Sequence, residues 1–310
     1  MSGICEGRIV VVTGAGGGIG RQHALAFAAE GAKLVVNDLG GARDGTGASP
    51  GPAQTVVDEI KAAGGEAIAH TDDISSWDGS LSLIQTAIDT FGGLDVVVNN
   101  AGILRDRMLT NMTEAEWDSV IKVHLKGTFG PAHHAAAYWR DRSKAGAAND
   151  ARIINTTSPS GIFGNVGQSN YGAAKAGIAA FSVIASQELG RYGVTVNAIA
   201  PTALTRMTED LALLSQPDAD AGETKQAESW NPLDPENISP LVVWLGSAQS
   251  RAVTGRVFSV SGGFISVAEG WVNGPSVDRA GKWEPGELGE VIPELVAKAA
   301  PNADIFGTRA

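Results

Sequence analysis

Tyr171 and Lys175 stand four positions apart in an alanine-rich stretch with helical periodicity. Side chains at that spacing project from one face of a helix, about one turn apart. An ammonium group beside a phenol favours the phenolate, so we expect Lys175 to lower the Tyr171 pKa from its usual value of about 10. A phenol tuned in this way exchanges a proton with a substrate near neutral pH. The pair therefore predicts acid–base chemistry, although a Tyr-x-x-x-Lys spacing by itself also arises by chance.

Ser158 supplies a hydroxyl in front of this pair. The apolar residues 152–155 predict a strand that ends just before it, and a glycine-rich loop then leads to the helix of Tyr171. A serine hydroxyl there can hold a carbonyl oxygen while Tyr171 protonates it. The three side chains together suit hydride transfer between a carbonyl and an alcohol.

Composition limits the classes of function. The chain has 310 residues, 43% of them hydrophobic, so it can bury a sizeable core in one large or two small domains. A net charge of −11 without any run of lysine or arginine argues against nucleic acid and anionic membranes as partners. No stretch approaches the length of about 18 apolar residues that a membrane span needs.

Cys5 is the one cysteine, so the fold contains no internal disulfide. That usage is typical of a reducing compartment and favours a cytoplasmic protein. No spacing of cysteine and histidine suggests metal ligands, and we predict no metal.

A glycine-rich turn near the N-terminus predicts a dinucleotide site. The apolar run 8–13 predicts a buried strand, GAGGGIG follows it, and an alanine-rich helix ends at Gly31. Glycines in such a turn permit close approach of a pyrophosphate, which the amides at the helix N-terminus then bind. The candidate cofactor residues in this segment are Thr13, Gly14, Gly18, Ile19 and Gly20.

Asp38 closes the second predicted strand, residues 33–37, about 20 residues after the glycines. A carboxylate there accepts hydrogen bonds from the adenosine ribose and repels a 2′-phosphate, so NAD is favoured over NADP. An ordinary turn aspartate is the alternative, and Arg43 is the nearby residue that can weaken the preference.

Later strand ends supply more candidate cofactor residues. Asp73 and Ile74 follow the strand 66–71, where Asp73 can accept from the adenine amino group or simply be a solvated turn acid. The run 94–98 leads to Asn100, Ala101 and Gly102, whose small size leaves room for a flat ligand. The polar loop 40–52 is unusually long for an α/β connection and is therefore expected to be functional or mobile.

Alternating strands and helices predict an α/β fold. A capping box at Thr113 begins a helix that runs through His124 toward Tyr138, and the last strand covers residues 257–260. We predict one doubly wound Rossmann-type domain over residues 1–263, with a parallel sheet of about seven strands flanked by helices. Residues 205–230 predict either a cover over a cleft or a variable surface segment.

These motifs resemble the short-chain dehydrogenase/reductase family over nearly the whole chain up to Gly263. The glycine turn, the Asn99–Gly102 segment, Ser158 and the Tyr171/Lys175 pair stand in the order of that family. Segments such as NDLGG, VHLKG and SGIFGNVGQSNY are similar to the (3R)-hydroxyacyl-CoA dehydrogenase unit of type 2 peroxisomal multifunctional enzymes and bacterial relatives.

The resemblance implies the roles of the catalytic residues. Tyr171 is the general acid/base, Ser158 binds the reacting oxygen, and Lys175 holds the nicotinamide ribose and lowers the tyrosine pKa. His124 replaces the asparagine of most members, and an imidazole there adds sensitivity to pH. The threonine that meets the carboxamide is displaced to about Thr205. Members usually form dimers or tetramers through the helices that carry His124 and Tyr171, so a homodimer or homotetramer is expected.

Several alternatives stay open. The expected substrate is a 3-hydroxyacyl-CoA, with Arg105, Arg107 and Arg206 as candidate partners of the CoA phosphates. A hydroxysteroid or other secondary alcohol is the second possibility, and a non-catalytic NAD-binding protein is the third. Residues 264–310 form a C-terminal extension that covers the site, contacts a neighbouring subunit or serves only as a packing tail.

Overall fold

A computed structural model describes residues 3–49, 51–205 and 230–309. The predicted cover over residues 205–230 therefore lies, except for its two end residues, outside the described residues. No helix in the described ranges is long and apolar enough to cross a membrane.

One sheet organises the described chain, with strand order β3-β2-β1-β4-β5-β6-β7-β8. The first seven strands pair in parallel, which confirms the predicted fold class, and β8 pairs antiparallel with β7. The strands are β1 (Ile9–Thr13), β2 (Lys33–Asn37), β3 (Glu66–His70), β4 (Val96–Asn99), β5 (Ala151–Thr156), β6 (Val194–Pro201), β7 (Val257–Ser261) and β8 (Phe264–Ala268).

Helices cover both faces of the sheet because side chains alternate along each buried strand. Val10 and Val12 pack in one core with α1, α2 and α8, whereas Val11 packs in a second core with α3, α5 and α7. The helices are α1 (Gly18–Ala29), α2 (Gly51–Ala62), α3 (Trp77–Phe91), α4 (Glu114–Ile121), α5 (Gly127–Lys144), α6 (Pro159–Ile162), α7 (Ser169–Leu189), α8 (Ser239–Gly246) and α9 (Leu288–Lys298).

The predicted helix from Thr113 toward Tyr138 contains an interruption. The capping box at Thr113 is present, but a π-helical turn, Lys122–Lys126, separates α4 from α5. Single π-turns of this kind are frequent at functional sites, because the extra residue redirects a side chain. His124 lies in the middle of this turn.

The sheet continues past Gly263, where the sequence predicted its end. Gly262 has φ +52 and forms a tight turn, after which β8 returns along β7 in register. Positive φ is cheap only for glycine, so the pair Gly262-Gly263 reverses the chain instead of ending the domain. The part of the chain outside the sheet thus begins after Ala268.

Strand order reverses between β1 and β4, whose neighbours lead away in opposite directions. Loops leaving the carboxyl ends of parallel strands diverge at such a point and open a crevice. Gly14, Asp38, Asn100 and Ser158 all follow strands at this edge.

Candidate active site

The glycine-rich turn leaves the N-terminus of α1 open. Gly14 and Gly18 have φ +62 and +52, and Gly17, the N-cap residue, provides no side-chain cap. The first turn of α1 carries no acidic residue, and a Cβ on Gly17 would meet nothing within 4 Å. Uncapped amides at the positive end of a helix dipole favour an anion such as a phosphate.

Gly20 is required for a different reason. A Cβ there would lie 2.2 Å from the Gly14 carbonyl oxygen and 2.5 Å from Asn100 Nδ2. The turn is therefore packed directly against the segment that follows β4.

Thr13 and Asn100 join β1 to β4. The Thr13 hydroxyl accepts from the Asn100 amide at 2.9 Å and from the Ala101 amide at 3.1 Å. Asn100 Nδ2 donates to the Thr13 and Gly14 carbonyls at 3.1 and 3.2 Å. Thr13 is buried beneath the cleft and supports the residues that line it.

Asp38 lies at the end of β2 and is held by backbone amides. Its Oδ2 accepts from the Gly16 amide at 2.8 Å, and its Oδ1 accepts from the Gly40 amide at 2.7 Å. The carboxylate therefore bridges the glycine turn and the loop after β2. It is half-buried and lines the cleft.

Asp73 and Ile74 lie at the next strand end and line the same cleft. Asp73 Oδ1 accepts from the Ser75 amide at 2.9 Å, and its Oδ2 lies 3.5 Å from Lys122 Nζ. Burial acts to raise the pKa of Asp73, but hydrogen bonds from Ser75 and the charge of Lys122 outweigh it, so the pKa is lowered. The group is thus a structured carboxylate, which differs from a freely solvated turn acid.

The long loop after β2 packs over the segment after β4. The Leu104 amide donates to the Arg43 carbonyl at 3.1 Å, and Arg105 Nε donates to the Asp44 carbonyl at 2.9 Å. A Cβ on Gly45 would lie 3.1 Å from Ile103 Cδ1. The loop forms one wall of the cleft and places Arg43 in its lining.

Ser158, Tyr171 and Lys175 converge in the cleft. Ser158 is the N-cap of α6 and its Oγ accepts from the Ser160 amide at 3.2 Å. Lys175 Nζ donates to the Thr156 carbonyl at 2.6 Å and lies 5.5 Å from the centre of the Tyr171 ring. The Thr157 hydroxyl donates to the Lys175 carbonyl at 2.6 Å, which ties α7 to the end of β5.

The pKa of Tyr171 is raised in this structure, whereas the sequence predicted that Lys175 would lower it. Burial raises the pKa of Tyr171 to about 12, although the neighbouring Ser158 hydroxyl opposes the shift. Burial also lowers the pKa of Lys175 to about 7. Both groups lose hydration when they enter the cleft, and desolvation disfavours the charged form of each. The sequence spacing gave no measure of that desolvation.

His124 is buried against the segment after β4. Its Nε2 either accepts from the Ile103 amide at 3.0 Å or, in the other tautomer, donates to the Ile103 carbonyl at 2.8 Å. Its Nδ1 has no hydrogen-bond partner among the described residues, and its ring meets the Tyr171 ring edge-on at 5.1 Å. A Cβ on Gly102 would lie 2.3 Å from His124 Cε1, so the glycine makes room for the imidazole.

The prediction that His124 adds sensitivity to pH is wrong for the range near neutral pH. Burial, helped by the charge of Lys175, lowers the pKa of His124 to about 3. The imidazole is therefore neutral across the physiological range and acts as a hydrogen-bonding group.

Gln168 is a cleft residue that the sequence analysis did not single out. Its Oε1 accepts from Ser160 Oγ at 2.7 Å and from Asn165 Nδ2 at 3.0 Å, and its Nε2 donates to Asp106 Oδ2 at 2.7 Å. This network links the loop after Ser158 to the segment after β4. Its position three residues before Tyr171, at the start of α7, is the one signal that could have indicated it.

The cleft has a volume of about 340 Å³ and runs from the glycine turn to the reactive side chains. Thr205 lines it, and a Cβ on Gly18 would lie 3.7 Å from Thr205 Cγ2. Ile305 and Phe306 of the C-terminal extension also line it, which fits the first of the three alternatives for residues 264–310, an extension that covers the site. The candidate residues present in the lining are Gly14, Gly18, Ile19, Gly20, Asp38, Asp73, Ile74, Asn100, Ala101, Gly102, His124, Ser158, Tyr171, Lys175 and Thr205.

Two of the three predicted phosphate-binding arginines lie outside the lining of the cleft. Arg107 pairs with Glu116 at 3.1 Å on the surface, and Arg105 is held by the loop after β2. Within the described part of the chain neither residue lines the cleft, whereas Arg43 does. Arg206 lies outside the described residues.

A family model described as short chain dehydrogenase matches residues 8–213. The chain belongs to the short-chain dehydrogenase family. It is therefore an oxidoreductase, and the matched residues include the glycine turn, Ser158, Tyr171 and Lys175.

Similar proteins agree with this assignment. The chain is 42% identical to hydroxyacyl-CoA dehydrogenase ChsB1 of Mycobacterium tuberculosis, over 98% of this chain and 93% of that protein. It is 45% identical to the peroxisomal hydratase-dehydrogenase-epimerase of Saccharomyces cerevisiae, over 83% of this chain but only 26% of that longer protein. A crystal structure of a short chain dehydrogenase from Mycobacterium avium matches with a TM-score of 0.85 and 56% identity, covering 99% of this chain and 100% of that one.

Short-chain dehydrogenases use a nicotinamide dinucleotide, and the residues of this cleft fit one. The α1 amides are uncapped, and open space faces Gly17. Small residues, Ala101 and Gly102, line the neighbouring wall, and Asp38 stands at the end of β2. This chain thus supplies an anion site, a flat slot and a carboxylate, which are the three features that a dinucleotide needs.

Proposed function

We propose that the protein is an NAD-dependent dehydrogenase of 3-hydroxyacyl-CoA thioesters. The observation that carries the proposal is one continuous cleft that joins the uncapped α1 N-terminus to Ser158, Tyr171 and Lys175. The names of two relatives, a hydroxyacyl-CoA dehydrogenase and a peroxisomal hydratase-dehydrogenase-epimerase, support the acyl-CoA class of substrate. Arg43 in the cleft lining is the candidate partner of a CoA phosphate.

Each residue then has a role that follows from its contacts. Ser158 holds the reacting oxygen, and Tyr171 exchanges a proton with it. A bound nicotinamide supplies or accepts the hydride. Because the Tyr171 pKa is about 12, the phenol is protonated at neutral pH and ready to donate to a carbonyl oxygen. Alcohol oxidation needs the phenolate, so its rate should rise with pH.

Lys175 and His124 position this chemistry. The Lys175 pKa of about 7 leaves its ammonium partly charged at neutral pH, anchored on the Thr156 carbonyl. His124 fixes the bend at Ile103, and its unpaired Nδ1 is suited to hold a water on a proton path. Thr13, Asn100 and Ala101 hold the wall of the cofactor slot, and Thr205 lies beside Gly18.

NAD is proposed over NADP because of Asp38. Its two oxygens are held by the Gly16 and Gly40 amides, which fixes a negative charge at the end of β2. A 2′-phosphate at the adenosine ribose would meet that charge.

A homo-oligomer formed through α5 and α7 is also proposed. Phe129, Val183 and Ile184 on these helices are 43%, 39% and 54% exposed, and contact with a second copy would remove this apolar surface from water. Light scattering of the purified protein gives the mass that tests it.

A cytoplasmic setting is proposed from the single cysteine. The division into a catalytic domain and a C-terminal extension is kept, with the boundary moved to Ala268.

The substrate class is tested by mixing the protein with NAD and a panel of 3-hydroxyacyl-CoA esters while recording absorbance at about 340 nm, where the reduced nicotinamide absorbs. We expect NADH formation with at least one ester, faster at higher pH. If the protein oxidises hydroxysteroids or simple secondary alcohols but no 3-hydroxyacyl-CoA ester, the proposed substrate class is wrong and the dehydrogenase assignment stands. Cofactor binding without any turnover would instead indicate a non-catalytic protein.

A further inference from the structure

The C-terminal extension ends in a compact turn, residues 304–308, that we call the terminal turn. Asp304 Oδ1 accepts from the amides of Phe306 and Thr308, each at 2.9 Å. The Asp304 amide donates to the Thr308 carbonyl at 2.9 Å, and the Gly307 amide donates to the Asp304 carbonyl at 2.9 Å. Four hydrogen bonds around one carboxylate residue define the conformation without help from the rest of the chain.

Gly307 attaches the terminal turn to the loop that follows Ser158. It has φ +82, and a Cβ at this position would lie 2.8 Å from Phe163 Cζ. Phe163 directly follows α6, between Ser158 and Tyr171. The turn therefore rests on the same loop that carries the network of Gln168.

Ile305 and Phe306 project from the terminal turn into the lining of the cleft. Phe306 is 67% exposed, so its ring contributes little to the hydrophobic core of the fold. The backbone that carries the ring is nevertheless held in place, because Asp304 accepts hydrogen bonds from the amides of Phe306 and Thr308. Ile103 and Leu104, which are nearly buried, line the cleft as further apolar residues.

We propose that Ile305 and Phe306 form an apolar wall that binds the acyl chain of the substrate and thereby favours long chains over short ones. The proposal rests on the proposed function, because it assigns part of the substrate to the wall. The reacting end lies at Ser158 and Tyr171, while the terminal turn sits on the loop between them. An apolar chain extending from the reacting carbon would cover the exposed ring of Phe306 and remove its surface from water.

The test compares Phe306→Ala with wild type on 3-hydroxybutyryl-CoA and 3-hydroxydecanoyl-CoA. We expect the KM for the long ester to rise about tenfold, since several methylene contacts in an apolar site are worth a factor of that order. The kcat for both esters and the KM for the short ester should not change. Phe264→Ala is the matched control, because Phe264 is a 59% exposed ring on β8 that does not line the cleft, and it should behave as wild type.

A second variant, Gly307→Val, keeps the Phe306 ring but changes the position of the terminal turn. It strains a positive φ and collides with Phe163, so it should displace the turn and produce the same loss for the long ester. An unchanged melting temperature shows that the domain is folded.

The proposed wall is overturned if the KM for the long ester is unchanged in Phe306→Ala. It is also overturned if the KM rises equally for both esters, or if the KM for the long ester rises equally in Phe264→Ala. A wild-type protein that oxidises both esters in those cases leaves the proposed function in place. A wild-type protein that oxidises neither overturns the proposed function and the wall together.

Discussion

The two halves of the cleft are built in different ways. Most of the cofactor half comes from consecutive chain, in which β1, the glycine turn, α1 and β2 follow one another and Asp38 closes the segment. Its other wall, with Ala101 and Gly102, follows β4. The substrate half comes from four separated segments, namely the loop after β2, the segment after β4, the loop between Ser158 and α7, and the terminal turn. The first half binds mainly with backbone amides, and the second presents side chains.

This difference explains which properties are fixed and which can vary. Backbone amides at a helix end bind any phosphate that fits, so the cofactor half needs only glycines and one carboxylate. Side chains on separate loops can change independently, so the substrate half sets what the enzyme accepts. Tyr171 and Lys175 stand between the two halves on the rigid helix α7.

The largest expected effect concerns the group that serves both halves. In Tyr171→Phe we expect cofactor binding to survive and turnover to fall by about a thousandfold, because a positioned acid is lost while the ring remains. Fluorescence titration with NADH and the rate of NADH formation measure the two quantities. Tyr192→Phe, in the 3₁₀ turn that follows α7, is the matched control and should retain full activity. Unchanged turnover in Tyr171→Phe would show that the phenol is not the proton donor.

A smaller effect should be confined to the cofactor half. Asp38→Asn removes the negative charge and one acceptor of the amides of Gly16 and Gly40. Since charge-assisted hydrogen bonds are strong, we expect the preference for NADH over NADPH to fall about a hundredfold. The two dissociation constants measure it. Asp58→Asn, an exposed acid on α2, is the control and should leave the preference as it is. If Asp38→Asn keeps the same preference for NADH over NADPH, this carboxylate does not set the cofactor preference.

The smallest effect compares two buried histidines, His124 in the cleft lining and His23 on α1, which contacts Ser239 of α8. His23 on α1 and His124 both have a pKa lowered from 6.5 to about 3 by burial. Between these values the unfolded chain binds the proton and the folded chain does not, so stability falls as pH falls. Each histidine should account for about 2 kcal/mol of the free energy of unfolding lost between about pH 6.5 and pH 5.

Urea unfolding at both pH values measures this loss. His23→Gln and His124→Gln should each make the free energy of unfolding less dependent on pH. If only one of the two variants has this effect, the two histidines are not equally shielded from water.

The sequence by itself determined the order of strands and helices, the glycine turn, Asp38, and the set of Ser158, Tyr171 and Lys175. These features depend on local rules, such as alternation along a strand, helical spacing and the conformations of glycine, which act over a few residues. For that reason the fold class and the position of the glycine turn between β1 and α1 could be predicted from the residues alone.

Only the tertiary structure decided the pKa values, the eighth strand, and the composition of the substrate half. Desolvation of Tyr171, Lys175 and His124 depends on everything packed around them, so spacing in the chain could not reveal its direction. Likewise, Arg43 lines the cleft, whereas the predicted Arg105 and Arg107 do not. Phe306 lines the same cleft as Tyr171, although more than a hundred residues separate them in the chain. Such contacts arise when loops from distant strands meet at one edge of a sheet, which no local pattern encodes.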